Sequence, residues 1–217
     1  DDFYLTKEER NELAKNIHPL LAQRGVPGTH DIELAINTIK NLALGIKTKI
    51  TRFDKSRDDR VSNQIEMSED KIGVIVIEGW CFGAEPQLEN QLITPVNELE
   101  RLKDPDGTCR RYINNALATS YPKLFKMAHS TIMLRAPDFD SVFEWRLEQE
   151  EKLIEKLNLT KDGLVGMSVM SKEEIFEFIQ SFQRITETCI ERMPAKVNHL
   201  LQLDPQREII EYRTLNP

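Results

Sequence analysis

Asp1 and Asp2 stand side by side, Glu78 directly follows the run Ile72-Gly73-Val74-Ile75-Val76-Ile77, and Lys55, Arg57 and Arg60 place three cations within six residues. Together these residue types suit transfer of a phosphoryl group to a hydroxyl. A positioned aspartate can accept the proton of the attacking hydroxyl, which typically contributes ~10²–10⁴-fold. An extended segment points only one of two neighbouring carboxylates into a pocket, and the competing reading of the pair is an exposed acidic terminus. A carboxylate at the end of a buried strand lies where open sheets bind ligands, and Gly79 beside Glu78 lets a ligand approach the backbone. Glu78 therefore reads as a magnesium ligand, direct or through water, or as a solvated strand end. The cations of 55–60 offer planar, charged donors for a carboxylate or phosphate, or form a solvated face with Asp58 and Asp59. Arg146, next to Trp145, can reach a transferring phosphoryl group or pair with Glu150 four residues on. Histidines 18, 30, 129 and 199 have no metal-ligand spacing, and His30, in a Gly-Pro loop, is the one kept as a candidate.

The elements that must hold these groups can be read from periodicity. Thr6-Lys7-Glu8-Glu9 is a capping box ahead of Leu13, Ile17, Leu20 and Leu21, which predicts a helix from about residue 6 to 23. The glycines and proline of Arg24–Asp31 break it, and Asp31 caps a second helix carrying Leu34, Ile36, Ile39 and Leu42. A short strand spans Thr48 to Phe53. Residues 72–77, without alternation, predict a strand covered on both faces, as in a parallel sheet between helices. Thr94-Pro95 opens a further helix that Asp104-Pro105-Asp106-Gly107 ends, and another runs through Tyr112 and Leu117. A strand follows at Ser130–Leu134, then a long helix capped by Asp140 and one opened by the box Ser171–Glu174. Two closing strands, Val197–Leu203 and Arg207–Tyr212, flank Asp204-Pro205-Gln206. Alternation of this kind predicts one three-layer α/β domain over 1–217, its functional groups at the carboxyl ends of the strands.

Bulk composition removes several function classes. The 217 residues are 40% hydrophobic, enough for a packed core, and carry a net charge of −7 that argues against general nucleic-acid binding. Cys81, Cys109 and Cys189 match neither a disulfide framework nor a zinc site, which points to reduced thiols in the cytoplasm. No apolar run approaches the ~18 residues of a membrane span.

Seven blocks in this order resemble the D-glycerate 3-kinase-like family, relatives of uridine kinase, phosphoribulokinase and pantothenate kinase among the P-loop kinases. They are Asp1–Thr6, His18–Leu21, Arg24-Gly25-Val26-Pro27-Gly28-Thr29-His30-Asp31, Phe53–Ser56, Asp59-Arg60, Glu78-Gly79-Trp80 and Glu144–Leu147. The resemblance covers essentially the whole chain, and the Arg24–Asp31 block is its specific part. It implies a P-loop NTPase-like fold with a mostly parallel sheet, and ATP- and magnesium-dependent phosphorylation of a small hydroxyl compound. In that frame Asp1 matches the catalytic base and Glu78 the acidic residue near magnesium. Asp2, Tyr4, His30, Lys55, Arg57 and Arg60 fall on the substrate side, and Arg146 falls in the region of lid-type catalytic arginines.

The family's phosphate-gripping Gly-x-x-x-x-Gly-Lys-Ser/Thr occurs nowhere in the 217 residues. The expectation is therefore a kinase-like chain lacking its first βα unit and inactive alone, acting on a small acidic metabolite such as D-glycerate when whole. Two other readings remain. One is a non-catalytic nucleotide-responsive or interaction module with kinase architecture; the other is a hydrolase using Asp1 and Glu78, disfavoured because only 7% of residues are aromatic.

Overall fold

A computed structural model of the chain describes residues 2–55, 57–67, 72–158 and 172–215. The chain divides into two compact units, Asp1–Pro95 with Leu102–Ala128, and Val96–Arg101 with His129–Pro217. Among the described residues no helix is long and apolar enough to cross a membrane.

The first unit begins with α1 (Lys7–Asn16), closed at its start by the expected capping box: Thr6 Oγ1 accepts from Glu9 N at 3.2 Å and Thr6 N donates to Glu9 Oε2 at 2.7 Å. The helix predicted to reach residue 23 stops at Asn16, and a separate 3-10 turn follows at Pro19–Ala22. Pro19 is the cause, because it forces the residue before it out of helical backbone, and His18 is extended at φ −161°, ψ 135°. Helix α2 (Ile32–Ala43) is capped by Asp31 and buries Ile32, Ala35, Ile36, Ile39 and Leu42, a stripe at helical spacing. Strands β1 (Thr48–Asp54) and β2 (Asp59–Met67) form an antiparallel hairpin with a register shift between Ile50 and Arg52.

Residues 72–77 depart from expectation. They form no strand ladder among the described residues, and Val74 and Val76 are 79% and 87% exposed. Continuous β-branched composition predicts cover on both faces. Cover requires neighbouring strands and helices, and the described residues do not supply them on that face.

The unit closes with α4 (Thr108–Thr119) and α5 (Tyr121–Phe125). Asp104, 1% exposed, accepts from Cys109 N at 2.8 Å and Arg110 N at 3.1 Å, so its carboxylate satisfies the amides that open α4. The buried Arg110 faces it and also donates to Leu92 O at 2.6 Å.

In the second unit β3 (Ile132–Arg135) pairs in parallel with β4 (His199–Leu203), which pairs antiparallel with β5 (Ile209–Thr214). A parallel pair needs a long crossover, and helices α6 (Phe139–Asn158) and α7 (Lys172–Arg192) lie between β3 and β4 in sequence. The cap of α6 is Asp138 rather than Asp140, its Oδ1 accepting from Ser141 N at 2.7 Å. The helix expected from Thr94 begins later, as α3 (Glu98–Lys103). Its first turn is fixed on α7, where Arg184 grips Glu100 through Nε at 2.7 Å and Nη2 at 2.6 Å. Ser171, which opens the second predicted capping box, lies outside the described residues.

Candidate functional site

In the first unit, segments far apart in sequence meet around one short antiparallel bridge, Tyr4 opposite His30. Leu5 N donates to Thr29 O at 2.9 Å and Asp31 N to Phe3 O at 2.7 Å, so the Gly-Pro loop holds the acidic start of the chain by backbone pairing. Arg60 secures both partners, with Nε donating to Tyr4 O at 2.8 Å and Nη2 to Asp31 Oδ2 at 3.1 Å. Asp59 accepts from Lys7 N at 3.0 Å and from Arg60 N at 2.8 Å, bonds that hold its carboxyl below the usual range.

The loop itself is closed from within and from outside. Thr29, fully buried, accepts from Gly25 N at 3.0 Å and donates to Val26 O at 2.7 Å. Trp80 Nε1 donates to Gly25 O at 2.8 Å, which brings the Glu78-Gly79-Trp80 block to the same loop. Gly28 sits at φ +95°, and a Cβ there would fall 2.5 Å from Tyr112 Cε1, so glycine is required twice over. Its carbonyl accepts from Tyr112 Oη at 3.2 Å and its N–H donates to Tyr121 Oη at 2.9 Å.

His30 is half-buried within this frame. Its ring lies 4.9 Å from that of Tyr4, and its Nδ1 is 2.6 Å from Tyr121 Oη. Burial pushes the imidazole pKa down to about 4, which leaves it neutral near pH 7, and burial pushes the Tyr121 phenol up. Phe53, from β1, meets Tyr4 edge-on at 5.1 Å between centroids, with the guanidinium carbons of Arg10 and Arg24 at 5.9 and 5.5 Å from its own. Asp58, at the hairpin turn with φ 56°, pairs with both arginines.

The described parts of five predicted blocks thus share one neighbourhood: residues 2–6, 24–31, 53–55, 59–60 and 78–80. The predicted substrate residues do not play equal parts. Tyr4 and His30 form its centre, Asp2 is half-buried at its edge, and Arg60 is engaged by Tyr4 and Asp31. Lys55 and Arg57 lie on the exposed turn, Arg57 near Asp54 at 3.6 Å. Glu78 is exposed. Asp1 lies outside the described residues. Arg146 belongs to the second unit, where Nη1 donates to Gln149 Oε1 at 2.6 Å and the guanidinium carbon lies 5.8 Å from the Phe178 centroid. The Glu150 side chain, its other expected partner, is outside what the structure describes. Trp145 beside it donates to Pro205 O at 2.6 Å.

Among the described residues no group of three or more His, Cys, Asp or Glu could hold a metal ion alone. Magnesium at phosphoryl-transfer sites commonly takes only one or two carboxylates, with water and phosphate oxygens completing the shell. The exposed Glu78 fits that smaller share. A phosphate cradle of backbone amides with a lysine has no counterpart in the sequence.

Sequence reading missed three residues of this site. Arg10, fully buried, donates to Leu5 O at 3.3 Å, Ala22 O at 2.7 Å and Asp58 O at 2.6 Å. Its signal was present, because it sits at helical spacing with Leu13 and Ile17, a cation on an otherwise apolar stripe. Tyr112 and Tyr121 reach the loop from 84 and 93 residues away, and no local pattern announces that.

The fold is a mixed α/β one similar to that of D-glycerate 3-kinase. The D-glycerate 3-kinase structure from Cryptococcus neoformans superposes with a TM-score of 0.76 at 23% identity, covering 99% of this chain and 78% of that one. The YGR205w protein structure gives 0.68 at 23% identity, covering 100% and 76%. In sequence the chain is 33% identical over 192 residues to the uncharacterized kinase mug58 of Schizosaccharomyces pombe and 31% identical over 193 residues to the chloroplastic D-glycerate 3-kinase of Arabidopsis thaliana. It is 29% identical over 197 residues to the probable ATP-dependent kinase TDA10 of Saccharomyces cerevisiae. Each alignment takes in 84% of this chain, which spans 65%, 38% and 61% of those relatives respectively. No family profile matches the chain. The chain is thus similar in sequence to D-glycerate 3-kinase and related kinases, and similar in fold to a D-glycerate 3-kinase.

Proposed function

We propose that the protein to which this chain belongs phosphorylates a hydroxyl of a small acidic metabolite, with ATP as donor and D-glycerate as the first substrate to test. The observation that carries this reading is the convergence of five family-like blocks on the Tyr4–His30 bridge, in a chain homologous to kinases. Backbone pairing through the Gly-Pro loop would fix the direction of the aspartates at the chain start, and Asp1 would accept the proton of the attacking hydroxyl. Lys55 and Arg57, exposed on the hairpin turn, would meet the substrate's acid group. Arg146 would stabilise charge on the transferring phosphoryl group.

Glu78 would hold magnesium, which supplies charge neutralisation on the phosphates. Phosphoryl transfer depends mostly on positioning and electrostatics, so a chain without the phosphate-gripping amides and lysine should be inactive by itself. The test is a phosphorylation screen of small hydroxy acids with the full-length protein and ATP. Turnover of D-glycerate or a close hydroxy acid is the expected result. No product from any of them would favour the non-catalytic module, for which the missing Gly-Lys-Ser/Thr is the motivating observation.

A further inference from the structure

Tyr121 makes two hydrogen bonds through one oxygen, and their directions can be assigned. The Gly28 N–H, 2.9 Å away, can only donate, so the phenol oxygen accepts there. The other partner is His30 Nδ1 at 2.6 Å. A neutral imidazole carries its proton on one nitrogen and accepts at the other, so two arrangements exist. If Nδ1 carried the hydrogen, two donors would point into the phenol oxygen. The phenol hydrogen would then lack an acceptor among the described residues, on a side chain only 3% exposed. A buried donor without a partner loses its hydration with nothing in return. If the phenol donates instead, both the buried phenol hydrogen and the Nδ1 lone pair are satisfied, and the proton of His30 lies on Nε2. The depressed pKa of His30 and the raised pKa of Tyr121 agree, because the first keeps the ring neutral and the second keeps the phenol protonated.

His30 Nε2 has no hydrogen-bond partner among the described residues, and the ring is half-buried at the bridge that holds the acidic segment. We infer that Tyr121 is a positioning residue that fixes His30 as the Nε2–H tautomer, making His30 a neutral hydrogen-bond donor to a substrate oxygen. The role rests on the kinase reading for its substrate, a small hydroxy acid. It also defines what His30 is not: a ring that gives its Nδ1 lone pair to a phenol and its Nε2 hydrogen to the ligand has no lone pair left to act as a base. Specificity follows, since a donor fixed in place favours ligands with an acceptor oxygen at that point and penalises those that present an apolar group there.

The test reads the imidazole directly. In the full-length protein, ¹⁵N-edited spectra of His30 should show a protonated Nε2 and an accepting Nδ1, unchanged between pH 6 and 8, and addition of D-glycerate should move the Nε2 resonance. Tyr121→Phe should release the tautomer while the fold persists, raising KM for the acid substrate about tenfold with kcat changed much less, the loss of one hydrogen bond to a charged group. His30→Gln, which can offer an amide N–H at similar reach, should retain more affinity than His30→Ala. A protonated Nδ1 in the native protein, or a Tyr121→Phe variant with a released tautomer and unchanged KM, overturns the inference. An empty substrate screen with an Nε2 resonance that D-glycerate still moves sinks only the kinase reading. An empty screen with an unmoved resonance sinks both.

Discussion

At the scale of single residues, the site separates groups that bind its frame together from groups that remain directed outward. Arg60 was a candidate for substrate contact, yet it is engaged by Tyr4 and Asp31 of the bridge, while Asp59 beside it accepts from Lys7 N. Asp1 carries the sharper chemical assignment. Asp1→Asn in the full-length protein should lower turnover by at least ~10²-fold if it receives the hydroxyl proton, as read by steady-state kinetics. Unchanged turnover would remove it from the mechanism. His30 links the site to stability. Its folded pKa near 4 lies below the ordinary value of 6.5, so in the window between them the unfolded chain binds the proton and the folded chain does not. Stability from this group is complete above pH 6.5 and falls as pH drops toward about 4, by up to roughly 3 kcal/mol. Urea unfolding at pH 7 and pH 5 should show that slope, and His30→Gln should flatten it.

At the scale of elements, α1, the 3-10 turn and the β1–β2 hairpin are joined by one cation. Arg10 bonds carbonyls of Leu5, Ala22 and Asp58 and the Asp58 carboxylate, the last at 2.9 Å. A guanidinium reaches all four because its donors are spread over a plane, whereas an ammonium offers them from one point. Arg10→Lys should therefore destabilise the first unit by about 2–4 kcal/mol, with buried carbonyls left unpaired. Denaturation midpoints within error of the native protein would show that water replaces the lost bonds. The run 72–77 illustrates the opposite case. Its composition is that of a buried strand, but composition reports a preference for cover and cannot provide it. Helix ends were read well where a side chain caps its own helix, as at Thr6 and Asp31. They were read less well where two carboxylates stand close together, as with Asp138 and Asp140 ahead of α6.

At the scale of the whole molecule, the relatives similar in sequence are named as kinases, while the 217 residues hold no phosphate-gripping motif. The 217-residue chain should therefore show no micromolar affinity for ATP with magnesium in a calorimetric titration, and the full-length protein should bind it. Micromolar binding by the chain alone would mean that its own residues supply the phosphate contacts. The α/β class, the capping box at Thr6, the two closing strands and the order of the family-like blocks were legible in the sequence, because each depends on local spacing, backbone preference or motif order. What the chain order alone could not determine was which charges face inward. Arg10, Arg60 and Asp104 are paired partners within the fold, and Tyr121 reaches His30 across 91 residues of chain. Those pairings arise only when segments are brought together, since a hydrogen bond or ion pair is set by distance and burial in space, quantities that sequence separation does not encode.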